Sequence, residues 1–271
     1  MMRRLNVLST TLGALVLLAG SARADTLWLG NDNNNVQAFH VDTLGGVLGS
    51  FTAPVTGFAW DGSILYSSEA FSGKIDRRLS DGTFVSSFTV APSSSFGEDM
   101  AWDSSRNRLW RVNHFPATLD RINPVTGLLD MSFALPLSGF GFTNLGAIGL
   151  AYDSMRDLLY VSFCEAGCAT FATGTILQFN PSTGAQVGGP LFTLTGANSI
   201  IGGLAYDAIG DALWLGGVNV RHTTLAGAPI SSFASPYFSD GLELIQSRVP
   251  EPNALLLSGL VGMALWLRRR A

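Results

Sequence analysis

Leu150-Ala151-Tyr152-Asp153, with a second apolar segment at Leu158-Leu159-Tyr160, decides the fold because it is not alone. The same pattern stands at Phe58-Ala59-Trp60-Asp61, Met100-Ala101-Trp102-Asp103 and Leu204-Ala205-Tyr206-Asp207, at successive spacings of 42, 50 and 54 residues. Each copy is followed by its own short apolar segment: Ile64-Leu65-Tyr66, Arg108-Leu109-Trp110 and Ala212-Leu213-Trp214. A third segment ends in a turn, as at Asn123-Pro124-Val125-Thr126-Gly127 and Asn180-Pro181-Ser182-Thr183-Gly184. Proline fixes φ there and glycine supplies positive φ, which makes the string a strong turn signal. A fourth apolar stretch follows, such as Thr83 to Phe88 or Leu128 to Phe133.

Four short strands in a unit of about 40 to 50 residues predict one blade of a β-propeller. No unit shows the 3.6-residue period that a helical solenoid requires. The two ends of the body complete the pattern. Thr26-Leu27-Trp28-Leu29-Gly30 matches a second strand, like Leu213-Trp214-Leu215-Gly216, and lacks a first strand before it. Gly241-Leu242-Glu243-Leu244-Ile245 matches a first strand and lacks a second after it. The last strand is therefore expected to complete the first blade and remove the open sheet edges of the ring. The expectation is an all-β chain with five blades of four antiparallel strands. The repeat resembles the broad NHL and YVTN-type propeller class, loosely, over most of Phe58 to Leu215. It departs from WD repeats, where Trp-Asp ends an inner strand and a Gly-His pair precedes it.

The expected organisation is a signal peptide over residues 1–24, the propeller over 25–247 and a sorting segment over 248–271. The body from Asp25 to Ser247 carries 9 Lys+Arg against 19 Asp+Glu, and 9 − 19 gives a formal charge of −10. Binding to a nucleic-acid backbone needs a basic surface, so no nucleic-acid partner is expected. Apolar residues are too many and too evenly spread for a disordered chain. Cys164 and Cys168 enclose three residues, and a local disulfide in an oxidising compartment is the first reading. Zinc would need two further ligands, and a redox pair usually encloses two residues.

Asp61, Asp103, Asp153 and Asp207 end the first strands of successive blades, where a carboxylate is placed to cap the following turn. At the opposite ends of those strands, Glu98, Asp99, Asn144, Asn198 and Asp240 form a candidate ring of oxygen ligands at one channel mouth. Such a set suits Ca²⁺ as a cofactor, and with it a hydrolase or lactonase. Asn31 to Asn35 reads as a polar hairpin turn, because it lacks the glycine and distal glutamate of an EF-hand. His40 and His222 fall at corresponding third-strand positions, and His114 stands apart. No nucleophile elbow, phosphate loop or dinucleotide fingerprint is present.

Both termini carry targeting features. Arg3 and Arg4 precede an apolar run from Leu5 to Ala19, and Ala22-Arg23-Ala24 fits signal-peptidase cleavage before Asp25. An uncleaved anchor is the alternative. At the other end, Val249-Pro250-Glu251-Pro252 precedes an apolar run from Asn253 to Leu267 and then Arg268, Arg269 and Arg270. As a helix the run would span about 22 Å against a hydrocarbon core of about 30 Å, a deficit that snorkelling and local thinning can cover. The arginines would stay cytoplasmic. This order of features resembles the PEP-CTERM sorting signal. The resemblance implies processing by an exosortase-type membrane enzyme, export through the Sec translocation machinery, and passage through the inner membrane of a Gram-negative-type bacterium to the cell surface or matrix. The family is associated with exopolysaccharide-producing bacteria. The leading expectation for function is a non-enzymatic binding module for a protein or exopolysaccharide.

Overall fold

The computed structural model describes residues 25–31, 37–69, 72–91, 97–114, 116–135, 146–164, 173–196 and 199–246. All of its regular structure is strand, arranged as five antiparallel sheets of four. Blade 1 takes its inner strand from the end of the chain: β20 (Gly241–Ile245) pairs with β1 (Thr26–Gly30), followed by β2 (Gln37–Asp42) and β3 (Val47–Thr52). The closing register is Thr26↔Ile245 through Gly30↔Gly241. Blade 2 is β4 (Gly57–Trp60), β5 (Leu65–Ser68), β6 (Lys74–Arg78) and β7 (Phe84–Thr89). Blade 3 is β8 (Gly97–Asp103), β9 (Arg108–Asn113), β10 (Thr118–Ile122) and β11 (Leu129–Ala134). Blade 4 is β12 (Gly146–Asp153), β13 (Leu158–Cys164), β14 (Thr173–Phe179) and β15 (Phe192–Thr195). Blade 5 is β16 (Leu204–Asp207), β17 (Ala212–Leu215), β18 (Asn219–Thr224) and β19 (Pro229–Ala234). The five-bladed ring and its closing strand are as the repeat predicts.

Five apolar clusters fill the five spaces between blades, and one residue pattern builds them all. In each second strand a leucine faces the preceding blade and the adjacent aromatic faces the following one, because strand side chains alternate. Leu65 thus packs between blades 1 and 2 and Tyr66 between blades 2 and 3. Leu159 meets Trp110 between blades 3 and 4. The inner strands alternate likewise, with a large residue (Phe58, Met100, Leu150, Leu204) facing back and alanine (Ala59, Ala101, Ala151, Ala205) facing forward. Near the axis each space thus takes one large residue from the following blade against an alanine from the preceding one.

At the outer rim a further contact runs the whole way round. Phe51, Phe88, Phe133, Phe192 and Phe233, on the outer strands, press on Gly82, Gly127, Gly184, Gly227 and Gly45, each in the outer turn of the next blade. These glycines have φ between 68° and 89°, so the turn and the ring contact demand glycine together. The fifth contact, Phe233 on Gly45, joins the last blade to the first.

Candidate functional site: the centre of the ring

Aligned on the repeat, the inner strands read Gly57-Phe58-Ala59, Asp99-Met100-Ala101, Gly149-Leu150-Ala151, Gly203-Leu204-Ala205 and Gly241-Leu242-Glu243. The first position is glycine in four blades, and there backbone meets backbone. A Cβ on Gly57 would lie 2.5 Å from the Glu98 carbonyl oxygen, and one on Gly203 would lie 2.2 Å from the Leu242 nitrogen. The exception is Asp99. A bulge in β8 between Gly97 and Met100, of the kind that redirects a side chain, turns its carboxylate into the ring.

The Asp99 carboxylate is fully buried and accepts backbone N–H groups from four blades. Oδ1 takes Phe58 of blade 2 at 3.3 Å. Oδ2 takes Leu150 of blade 4 at 3.1 Å and Leu204 of blade 5 at 2.8 Å. The N–H of its own neighbour Met100 is the fourth. The inner strand of every blade has one edge with no further strand to pair it, and a buried N–H on such an edge must find an acceptor. Asp99 supplies it at the same level in four blades. Burial pushes its carboxyl well above the usual range, and the N–H donors pull the other way.

Glu243 stands two residues further along the axis, where the other four blades have alanine. It meets the backbone N–H groups of Leu244 and Trp60, one level below those taken by Asp99. Burial raises its carboxyl strongly, and the charge of Asp99 adds to that. The centre of the ring therefore holds two acidic groups on two successive levels.

Hydroxyls fix the segments that lead into the inner strands. Thr56 donates to the Gly97 carbonyl at 3.0 Å and Ser68 to the Glu98 carbonyl at 3.1 Å. Ser162 donates to the Ile201 and Gly202 carbonyls at 3.0 and 3.2 Å. Gly30 and Gly216 occupy the position of Ser68 and Ser162 in blades 1 and 5, with no room for a side chain against the next carbonyl.

The other candidate residues do not join Asp99. Glu98, adjacent in sequence, points to the other side of its strand, and its carboxylate lies 3.6 Å from His114 Nδ1. Asp240 leads into β20 and donates its N–H to the Gly30 carbonyl at 3.0 Å. Asn144 and Asn198 lie outside the described residues. Among the described residues no group of three His, Cys, Asp or Glu side chains is placed to hold a metal ion. Cys164 is disulfide-bonded, and Cys168 lies outside the described residues. So do Asp32 to Asn35, Ala22, Ala24, Val249, Pro250, Glu251, Pro252, Arg268, Arg269 and Arg270.

The repeated aspartates cap turns. Asp61 accepts the N–H of Ser63 and of Ile64, both at 2.7 Å. Asp153 does the same for Met155 and Arg156 at 2.8 and 3.0 Å, and Asp207 for Ile209 and Gly210 at 3.1 and 2.8 Å. Their second oxygens receive the second-strand aromatics: Tyr66 at 3.0 Å, Trp110 Nε1 at 3.1 Å on Asp103, and Tyr160 at 2.7 Å on Asp153. His40 and His222 stack flat on Trp28 and Trp214, at 4.7 and 4.3 Å between ring centroids. Burial lowers both imidazoles, against the opposing pull of Asp81 on His40 and of Asp207, 3.1 Å from His222 Nε2.

No protein-family model matches the chain, and no curated protein sequence does. Among solved structures, one titled the crystal structure of a nidogen/laminin complex is similar in fold, with a TM-score of 0.53 at 13% identity over 83% of this chain and the whole of the matched chain.

Proposed function

We propose that the chain is an exported β-propeller, sorted by an exosortase-type system to the cell surface or matrix, whose ring binds another protein or an exopolysaccharide without catalysis. The observation that carries the non-catalytic part is the use made of Asp99. A carboxylate offers about four acceptor positions, and at the centre of this ring the N–H groups of four blades take them. With its oxygens so engaged, Asp99 reads as a cap on main-chain N–H groups rather than as a metal ligand. The same arrangement weighs against the alternative of a Ca²⁺-dependent hydrolase or lactonase centred on Asp99. The export and sorting part rests on the order Pro250-Glu251-Pro252, apolar run, Arg268 to Arg270 at the end of the sequence. The similar solved structure is titled as a complex of two proteins, a use of the fold in keeping with a binding module.

The test is co-expression of the full chain with and without an exosortase-type enzyme, followed by the intact mass of the exported product. The expected product lacks the leader and is cut near Pro250 only when the enzyme is present. An identical mass in both cases rejects the sorting reading. Retention of the processed product on matrix polymer or matrix protein then tests the binding role, and its absence from both rejects that role.

A further inference from the structure

One column of the third strands faces the preceding blade. It reads Phe39, Asp76, Asp120, Leu177 and Arg221, each paired with the residue that follows the second-strand aromatic. Phe39 and Leu177 join the apolar clusters between blades. In blades 2 and 3 the column carries a charge, and the opposite charge comes with it. Asp76 meets Lys74 and Arg78 at 2.9 and 2.7 Å. Asp120 faces Arg111 at 3.6 Å and accepts Asn113 and Ser132 at 2.7 and 2.6 Å. Arg221 brings its charge toward the space between blades 4 and 5, and no carboxylate among the described residues meets it.

No other cation of the body is left in this way. Of its nine Lys and Arg residues, seven lie within 3.8 Å of a carboxylate oxygen. An eighth, Arg77, lies 4.5 Å from the centroid of the Phe88 ring and donates to the Ser86 hydroxyl and the Pro124 carbonyl. Arg221 has one acceptor, the Ile200 carbonyl, to which Nη2 donates at 2.9 Å. Its Nε is buried with no partner. Of the five N–H groups of a guanidinium, the three left on Nη1 and Nη2 have no acceptor among the described residues. Burial lowers the pKa of Arg221, and no carboxylate raises it again, whereas Asp120 does so for the more deeply buried Arg111. A cation taken partly out of water without a counter-charge is costly.

We propose that Arg221 is the point at which the ring recognises a carboxylate, that of a uronic-acid residue in an exopolysaccharide. The inference rests on the reading of the ring as a binding module and names the chemistry of its ligand. A planar guanidinium matches a carboxylate with two parallel N–H···O bonds. Two neutral polar side chains stand beside it on the same face of blade 5. Ser232 is directly opposite Arg221 in the ladder, and Asn219 is two residues away along β18; both are exposed. Side chains paired across strands stand about 5 Å apart, within reach of the hydroxyls that flank a sugar carboxylate. An acidic peptide would satisfy Arg221 but offers few hydroxyls to Ser232 and Asn219. The acidic body repels a dense polyanion, so the fit is to one uronate among neutral sugars.

The experiment titrates the full chain, in neutral detergent and about 0.15 M salt, with a neutral oligosaccharide bearing one glucuronic acid. Its methyl ester, which keeps the ring hydroxyls and loses the charge, is titrated alongside. The expected result by calorimetry is binding of the acid roughly tenfold tighter than of the ester. Arg221→Gln is expected to abolish that preference. Arg221→Lys, which keeps the charge without the fork, is expected to retain part of it. The comparison of acid with ester on the parent needs no variant, so it decides even if Arg221→Gln fails to fold. Equal binding of acid and ester overturns the Arg221 site and leaves the binding role of the ring standing. A preference unchanged in Arg221→Gln overturns the site in the same way. Binding of a triglutamate peptide but of neither sugar, lost in Arg221→Gln, assigns the residue to a protein partner and overturns the proposal. Binding of none of the three overturns it too, and retention on matrix polymer or matrix protein then decides the binding role separately.

Discussion

Asp99 on the third blade accepts the backbone N–H of Leu204 on the fifth at 2.8 Å, across the centre of the ring. A side chain thus does what no strand can do there, since five inner edges converge and none has a partner strand. Asp99→Asn keeps the shape and turns one acceptor into an NH₂ group facing N–H donors. A buried group left unsatisfied costs about 1–3 kcal/mol. With two such groups the loss is on the order of 3 kcal/mol, or roughly 6–12 °C in Tm for a domain of this size. A thermal melt of the variant that coincides with that of the parent sinks the capping role.

Glu243 gives the ring a pH dependence of unusual sign. Its carboxyl is raised by burial and by Asp99. Strands β1, β4, β8, β16 and β17 pack against β20, and the acidic groups they carry are Glu98, Asp99, Asp103 and Asp207. Of these, Asp99 is the one whose charge raises Glu243. A raised acid is favoured in its neutral form by the folded state. Its stability is therefore fully present below the ordinary glutamate range and is lost as pH rises through the folded value. Glu243→Gln stays neutral at every pH. Denaturant midpoints at pH 5 and pH 8 are expected to show the variant gaining on the parent as pH rises, because the unfolded glutamate ionises across that range, and an unchanged gap counts against a raised Glu243 carboxyl.

The repeat makes the fold legible for a physical reason. A propeller reuses one interface five times, so Leu159-Tyr160 and Leu213-Trp214 look alike because they fill like spaces. Closure is legible too, since Gly241 to Ile245 matches a first strand with no blade of its own. The site is harder. Asp99 is a candidate for its chemistry, as a metal ligand, but its actual partners are main-chain N–H groups, which carry no sequence signal. Glu243 belongs to no motif and draws no notice. Both stand out once the inner strands are aligned column by column, because each breaks a column that is otherwise all glycine or all alanine. In a repeat, the departures from the pattern mark the places where the ring differs from its own symmetry.

Gly184 and Gly188 separate backbone strain from crowding. Both have positive φ, 68° and 70°. A Cβ on Gly184 would lie 2.2 Å from Phe133 Cγ, whereas one on Gly188 meets nothing within 4 Å. Alanine at Gly188 should cost about 1–2 kcal/mol, the backbone part alone. Alanine at Gly184 should cost roughly 1–3 kcal/mol more, because Phe133 must leave the rim contact. In a Phe133→Gly background the two substitutions should converge, since alanine at 133 would keep a Cβ 2.7 Å from one on residue 184; a double-mutant cycle reads the coupling directly. Equal costs in the parent would mean that the phenylalanine-on-glycine contact does not hold adjacent blades.

In the turns between first and second strands, charged pairs step from blade to blade and then stop. Arg106 of blade 3 grips Asp157 of blade 4, and Arg156 of blade 4 grips Asp211 of blade 5. Blade 5 has Gly210 at the equivalent position, so no arginine there reaches on to blade 1, whose joint with blade 5 is made by the apolar cluster around Leu27, Trp214 and Leu242 and by Phe233 on Gly45. Arg156, together with the Tyr206 hydroxyl, holds the Asp211 carboxyl down to about 2. A lowered acid contributes stability above its ordinary range, near pH 4, and loses it as pH falls through the folded value. Both partners are well exposed, with side chains 40% and 45% accessible, so salt should weaken the effect. The expected outcome of Arg156→Ala is an Asp211 carboxyl that titrates nearer the ordinary aspartate range in an NMR titration. The parent in high salt should move in the same direction. An Asp211 that still titrates near its parent value in the variant would assign the shift to Tyr206 alone and remove the arginine from the joint between blades 4 and 5.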